Sequence, residues 1–372
     1  MKHALTFLSI SLVQMLSAQG LDLGTTTYSP TFIANLSNPY NETSGLAFSN
    51  DTIFSINDSG NQPIVHALSS TGQHFHSWTL QNAINTDWEA LALSSTTLFI
   101  GDVGNNDGSR SALDIYRIDR SALSSGSTSA LAQKQTLRFA DQPTSGLAMN
   151  AHNYDCEAMF FWHDSLHFFS KNWENLWTRH YVAPVAWQDT LVLSPIDSFF
   201  VNGLVTDAGL DPNSNSMYLL GYKKELSGLY SSFMYRYSTI DHAFTMADYQ
   251  RIELGSTLNL AQTEGLCMSA HDKGYITGEQ IVSIITISPK LHSFDFTTLA
   301  GTPGHAHSNI YFHAHILYIP QSLLQEFKLI DTSGRIAIEW QYDKNHQDLT
   351  GLKTGTYILL GPNYRKTWIK TH

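Results

Sequence analysis

Five short segments of this 372-residue chain share one pattern, and four of them open on a carboxylate. They are Ser44-Gly-Leu-Ala-Phe48, Glu89-Ala-Leu-Ala-Leu93, Glu157-Ala-Met-Phe-Phe161, Asp207-Ala-Gly-Leu-Asp211 and Glu264-Gly-Leu-Cys-Met268. A second apolar run follows each after a short polar turn, at Ile53–Ile56, Leu98–Ile100, Leu166–Phe169, Met217–Leu220 and Gly274–Thr277. Antiparallel pairing of the two runs puts the start of the first and the end of the second at one edge. Glu89, Glu157, Asp207 and Glu264 stand at the starts; Asn57 with Asp58, Asp102, Lys171 and Glu279 stand at the ends. The expected result is a ring of oxygen donors with one lysine in it. Hard cations such as Ca²⁺ or Mg²⁺ take such donors, and a cation would relieve the mutual repulsion that raises clustered carboxyl pKa values. Glu89, Asp102, Glu157, Asp207, Glu264 and Glu279 are the candidate metal ligands, and Asn57, Asp58 and Lys171 the candidate ligand contacts. The plainer alternative is that acids at strand ends accept hydrogen bonds from loop amides and water.

The elements that must position these residues are short strands. The repeat starts, at 44, 89, 157, 207 and 264, are spaced 45, 68, 50 and 57 apart, which suits four-stranded blades with variable outer loops. Runs such as Leu113–Ile118 and Gln135–Phe139 supply further strands, short, rich in β-branched or aromatic residues and bounded by turn formers. Long helical periodicity is absent. An all-β chain of this kind is a sandwich, a barrel or a propeller, and the blade-sized repeat selects a β-propeller of five or six blades. The innermost hairpin of each blade then rims the central channel, so the acids meet at one mouth.

Composition narrows the function. Charged residues are 14% of the chain and the net charge is −11, so a generic nucleic-acid surface, which needs a basic field, is not expected. Residues 1–20 read as a secretory signal: Lys2 and His3, an apolar stretch over residues 4–16, and the small-x-small Ala18-Gln19-Gly20. That stretch is shorter than a membrane span, and no later segment is long enough. Export permits a disulfide, but Cys156 and Cys267 lie in non-consecutive repeats, and two buried thiols are expected. No serine-hydrolase elbow, zinc-protease, Walker or dinucleotide fingerprint occurs. Two His pairs, His305/His307 and His313/His315, and an aromatic set of Trp162, Phe168, Phe169, Trp173 and Trp177, are weaker candidates for metal and glycan binding. For both, an ordinary strand face or core is the simpler account.

From about residue 301 the pattern changes to a small antiparallel β-sandwich, giving a division into 1–20, 21–300 and 301–372. Asp331, Gly334 and Arg335, then Leu352, Gly355 and Tyr357, then Lys366, Ile369 and Lys370, form the series D-x-x-G-R, L-x-x-G-x-Y and K-x-x-I-K. This tail resembles the C-terminal sorting domain of the Bacteroidota type IX secretion system, without its usual Pro-Asn-Pro entry. The resemblance implies passage across the outer membrane through that machinery, and a secreted or cell-surface location. The segments Asn57-Asp58-Ser59-Gly60, Asp87-Trp88-Glu89-Ala90 and Ile100-Gly101-Asp102-Val103-Gly104-Asn105-Asn106 look like secreted propellers grouped with phytase-like and SdiA-regulated families. Phytase-like members imply calcium and phosphoester hydrolysis, but their catalytic residues find no position-by-position match here. The expected function is a ligand-binding propeller with an unknown extracellular ligand. Alternatives are a metal-dependent phosphoester or ester hydrolase using the same acids, and a structural surface protein.

Overall fold

The computed structural model describes residues 22–299, apart from 188–189, 212 and 238–248, together with segments between 311 and 370. It divides into two compact units, residues 1–299 and 300–372. The second contains two antiparallel sheets, one of Tyr311–His313, Ile316–Tyr318 and His346–Asp348, the other of Ile336–Ile338, Lys328–Asp331, Gly355–Gly361 and Tyr364–Lys370. In the second sheet the Asp331–Arg335 turn closes through Asp331 accepting from the Arg335 amide at 3.0 Å. Gly334 takes the positive φ (+82°) that the turn requires. The segment 1–20, His305, His307 and His315 lie outside the described residues.

The first unit is a five-bladed β-propeller. Blade 1 is built on the inner hairpin Thr43–Ser49 and Thr52–Asn57, blade 2 on Trp88–Leu93 and Thr97–Asp102, and blade 3 on Asp155–Trp162 and Ser165–Lys171. Blade 4 is built on Leu204–Leu210 and Met217–Lys224, and blade 5 on Gln262–Ala270 and Lys273–Glu279. Local sequence explains the hairpins. Their strands are β-branched and aromatic, and two of them turn on adjacent residues with positive φ, Asn50–Asp51 and His163–Asp164, the geometry a two-residue hairpin needs.

Ring closure is long-range. Thr31–Asn35 supplies the outermost antiparallel strand of blade 5, and Asp22–Thr27 pairs in parallel with the outer strand Tyr249–Ser256 of blade 4. Ser129–Leu131 and Leu191–Leu193 add similar parallel strands to blades 1 and 2. In each case the added strand comes from the segment just before the outermost strand of the following blade, so neighbours are laced together by backbone.

Between blades lie the cores. Ile56, Trp78, Trp88 and Leu98 join blades 1 and 2. Phe99, Met159, Phe168 and Tyr181 join blades 2 and 3, and Phe160, Phe169, Leu219 and Phe233 join blades 3 and 4. Tyr218, Ile252, Leu266 and Ile276 join blades 4 and 5, while Leu46, Ile53, Cys267 and Leu291 complete the circle. Burying apolar area at about 25 cal/mol per Å² therefore stabilises the ring at every junction. Cys156 and Cys267 are both buried free thiols. Trp162, Phe168 and Phe169 belong to these cores, whereas Trp173 and Trp177 reach the surface.

Candidate functional site: an acidic mouth on the upper face

Each inner strand carries a β-bulge near its start. The register shifts between Trp88 and Ala90, between Cys156 and Ala158, between Thr263 and Gly265, and between Val205 and Asp207. A bulged residue leaves the ladder and its side chain is re-aimed. Glu89, Glu157 and Glu264 are the bulged residues of blades 2, 3 and 5, and all three are buried at the mouth. The residue after the bulge must be small where the next inner strand comes close. A Cβ on Gly265 would stand 2.6 Å from the Ser44 carbonyl oxygen of blade 1.

In blade 4 the bulged residue is Thr206, and Asp207 takes the following position. Its carboxylate accepts hydrogen bonds from the amides of Leu266 (2.6 Å), Ala208 (2.8 Å) and Leu46 (3.4 Å). It thus ties blades 4, 5 and 1 together and does not join the other acids. Burial pushes its pKa well up, against those three amides. Asp102 is likewise engaged. It pairs with Arg110 at 2.8 Å and accepts from the amides of Asp87 (3.0 Å) and Thr86 (3.4 Å), which fixes the loop that presents Asp87. Burial raises its pKa while Arg110 pulls it down.

The remaining acids form two halves of one site. In one half Lys171, fully enclosed, donates to Glu157. Its ammonium lies 5.1 Å from the ring centres of both Trp173 and Tyr222. Burial opposes that charge, but Glu157 and Glu264 outweigh it and hold Lys171 firmly protonated. Gln262 bridges Glu264 and Glu279, donating to each at 2.7 Å. Burial, followed by neighbouring acids that include Asp58, pushes Glu279 up to about 9. Burial also pushes Glu264 up to about 7, although Lys171 lowers it.

The other half is Asp58, Asp87 and Glu89, whose carboxylate oxygens lie within 4.8 Å of one another. Among the described residues no salt bridge reaches any of the three. Burial first, then Asp58 and Asp155, push Asp87 up to about 8. Burial and the charges of Asp58 and Glu157 drive Glu89 well above its ordinary value. Two buried oxygens at the mouth have no hydrogen-bond partner, Glu264 Oε2 and Asn57 Oδ1. Asn57 is held by donation to the Pro39 carbonyl at 2.7 Å. Gly104 leaves room for Asp87, since a Cβ there would lie 2.4 Å from Asp87 Oδ2.

Of the residues singled out by spacing, Asn57, Asp58, Glu89, Glu157, Lys171, Glu264 and Glu279 are brought to one mouth, while Asp102 and Asp207 support it from behind. Sequence reasoning passed over Asp87, Asp155, Gln262 and Tyr222. The signal for the first three was a shared spacing, Asp87-x-Glu89, Asp155-x-Glu157 and Gln262-x-Glu264, which puts a polar residue two places before each bulged glutamate. Asp155 accepts from the Asn105 amide (2.7 Å) and from Trp173 Nε1 (2.8 Å). Tyr222 stands opposite Leu204, the place that Lys171 and Glu279 occupy in their blades.

No protein-family model matches the chain, and no curated protein matches it in sequence. Similar solved structures include an α-L-arabinofuranosidase catalytic domain from Coprinopsis cinerea, at 10% identity, 74% of this chain, 97% of that chain and a TM-score of 0.41. Another is the PQQ-bound aldose sugar dehydrogenase of Streptomyces coelicolor, at 10% identity, 72% of this chain, 98% of that chain and a TM-score of 0.39. The chain is a five-bladed propeller with an acidic mouth, a class defined by its own strands.

Proposed function

We propose that this protein is a ligand-binding propeller whose mouth holds a hard divalent cation, Ca²⁺ or Mg²⁺, at Asp58, Asp87 and Glu89. One observation carries the reading: three carboxylates share a volume that, among the described residues, no salt bridge reaches, and the same mouth holds the unpartnered oxygens of Glu264 and Asn57. Lys171 neutralises the other half from within, so the two halves solve the same electrostatic problem, one with a side chain and one with an ion. All the donors are oxygens, which selects a hard cation over a thiophilic or imidazole-seeking metal. The bound ion would orient an anionic or hydroxylated group of the ligand.

Lys171, the candidate ligand contact whose charge a phosphoester substrate would need, is buried against Glu157. That favours binding over phosphoester or ester hydrolysis. The signal-like residues 1–20 and the sorting-domain resemblance of the tail support export by type IX secretion to the cell surface or medium. The N-terminal sequence of protein recovered from the medium tests that part.

The cation is tested by melting the full chain in EDTA and then in calcium or magnesium. A ligand that binds only the folded state raises the melting temperature. A rise of several degrees in the native chain, abolished in Asp87→Asn and Glu89→Gln, is the expected result. No rise with either metal overturns the reading.

A further inference from the structure

The mouth opens on a face with a distinct chemical character. Inner strands run from this upper face to the lower one, so the connections 82–87, 140–154, 225–229, 257–261 and 280–289 all emerge beside the acids. These loops and the strand ends next to them carry most of the exposed large apolar side chains of the propeller. Ile84 is 71% exposed, Met149 68%, Val282 72% and Trp177 37%, while Leu226 and Ile284, on neighbouring blades 4 and 5, project fully. Among the described residues, the inner hairpins turn on the lower face through polar side chains: Asn50–Asp51, Ser94–Thr96, His163–Asp164, Asn213–Asn215 and His271–Asp272. Apolar side chains held in water on one face mark an interaction surface.

The geometry points to the upper face as a docking surface for a protein segment that carries a basic side chain between apolar residues. The apolar residues would cover the rim, and the basic side chain would enter the mouth. This rests on the mouth being a ligand site, and it names the partner. Charge decides the occupant. Among the described residues the salt bridge to Asp58, Asp87, Glu89, Asp155, Glu157, Glu264 and Glu279 comes from Lys171 alone, and Arg110 pairs with Asp102 behind them, so with a divalent cation bound the carboxyl groups still outnumber the positive charges. A cationic segment is drawn to the mouth, and Trp173, part-exposed beside Lys171, offers the kind of ring that a guanidinium or ammonium favours. A lipid surface would strand the acids against phosphate headgroups. A second copy docked face to face would oppose two like-charged mouths.

The test uses fluorescein-labelled peptides with a Leu-Lys-Leu core, compared with Ser-Lys-Ser and Leu-Glu-Leu cores, titrated with the full chain by anisotropy. The Leu-Lys-Leu peptide is expected to bind roughly tenfold or more tighter than Ser-Lys-Ser, on the apolar area it buries, and Leu-Glu-Leu not to bind. The double variant Leu226→Ser/Ile284→Ser, altered only at fully exposed positions, is expected to keep its melting temperature and its calcium titration and to lose that preference. Equal binding of the two lysine peptides overturns the proposal, as does an unchanged preference in the variant. Co-sedimentation with phosphatidylcholine–phosphatidylglycerol vesicles, or self-association, that the double variant abolishes would also overturn it in favour of a membrane or a second copy. The two readings fail separately: calcium bound without peptide preference sinks the docking surface alone, and peptide preference without calcium binding sinks the cation alone.

Discussion

Titrating the cation at different pH values tests the mouth more sharply than any substitution, because the metal and the proton compete for the same oxygens. Asp87 is pushed up to about 8 by burial and by Asp58, and Glu89 is also driven up. Near neutrality the empty mouth therefore holds protons that a cation must expel. Below the Asp87 value each pH step weakens binding tenfold for every proton displaced. From pH 9 to pH 6, Asp87 alone costs roughly 100-fold in affinity, and release from Glu89 as well makes the fall steeper still. The assay is isothermal titration calorimetry with calcium across that range. At neutral pH it is repeated in two buffers of different ionisation heat, so that the enthalpy difference gives the protons released. Stability follows the same protons. A carboxyl raised in the folded state binds its proton there after the unfolded chain has lost its own, so stability falls as pH rises from about 4 to 8. Calcium should therefore raise the melting temperature more at pH 8 than at pH 5. Affinity constant within a factor of two from pH 6 to 9, or zero protons released, would refute the competition and with it the placement of the ion on Asp87.

Gly104→Ala should push a methyl into Asp87 Oδ2. We expect calcium affinity to fall by roughly 10- to 100-fold, as for displaced supports of metal ligands, with little change in urea midpoint. Asp207→Asn keeps the shape but offers one acceptor oxygen where both now serve amides. It should cost about 1–3 kcal/mol in urea unfolding and leave calcium affinity unchanged, whereas a weakened affinity would return Asp207 to the metal site. Lys171→Met strands Glu157 and should cost about 3–5 kcal/mol, most of it recovered in Lys171→Met/Glu157→Gln. Burial lowers His66, His167 and His292 to about 4. These residues favour the folded state above about pH 6.5 and withdraw that stability as pH falls toward 4. The loss is read in EDTA as the melting temperature of the native chain falling relative to that of His292→Gln between pH 6.5 and 4, a difference in which the mouth acids cancel.

Why the hairpins were legible and their closure was not is a matter of range. Asn50–Asp51 and His163–Asp164 set their turns locally, and the apolar runs beside them pair with the nearest strand, so five repeats read directly as five inner hairpins, while the choice between five and six blades waited for the ring. Nothing near Thr31–Asn35 or Asp22–Thr27 announces that these strands close blade 5 and extend blade 4. Their partners lie more than two hundred residues away and are fixed only when the ring forms. Strand identity is local information; blade closure is not.

The site shows the same division one level down. Spacing located Glu89, Glu157 and Glu264 because each opens an apolar run, but the bulge under each residue makes it a mouth residue, and a bulge leaves no residue-type mark. Blade 4 shows the consequence. Asp207 opens its run as the glutamates open theirs, yet the bulge there falls on Thr206, and one residue of offset carries the carboxylate from the mouth to the backbone of blades 5 and 1. A side-chain period of two makes every strand reading vulnerable to such a shift. The doublets Asp87-x-Glu89, Asp155-x-Glu157 and Gln262-x-Glu264 mark the same edge twice, and in two of them the partners meet at the mouth, Asp87 with Glu89 and Gln262 with Glu264. Blade 4 has no such doublet: Leu204 stands where the others have Asp or Gln, and Thr206 where they have Glu. The acids therefore come from blades 1, 2, 3 and 5, and blade 4 contributes Tyr222 and the brace of Asp207, which makes it the wall of the mouth.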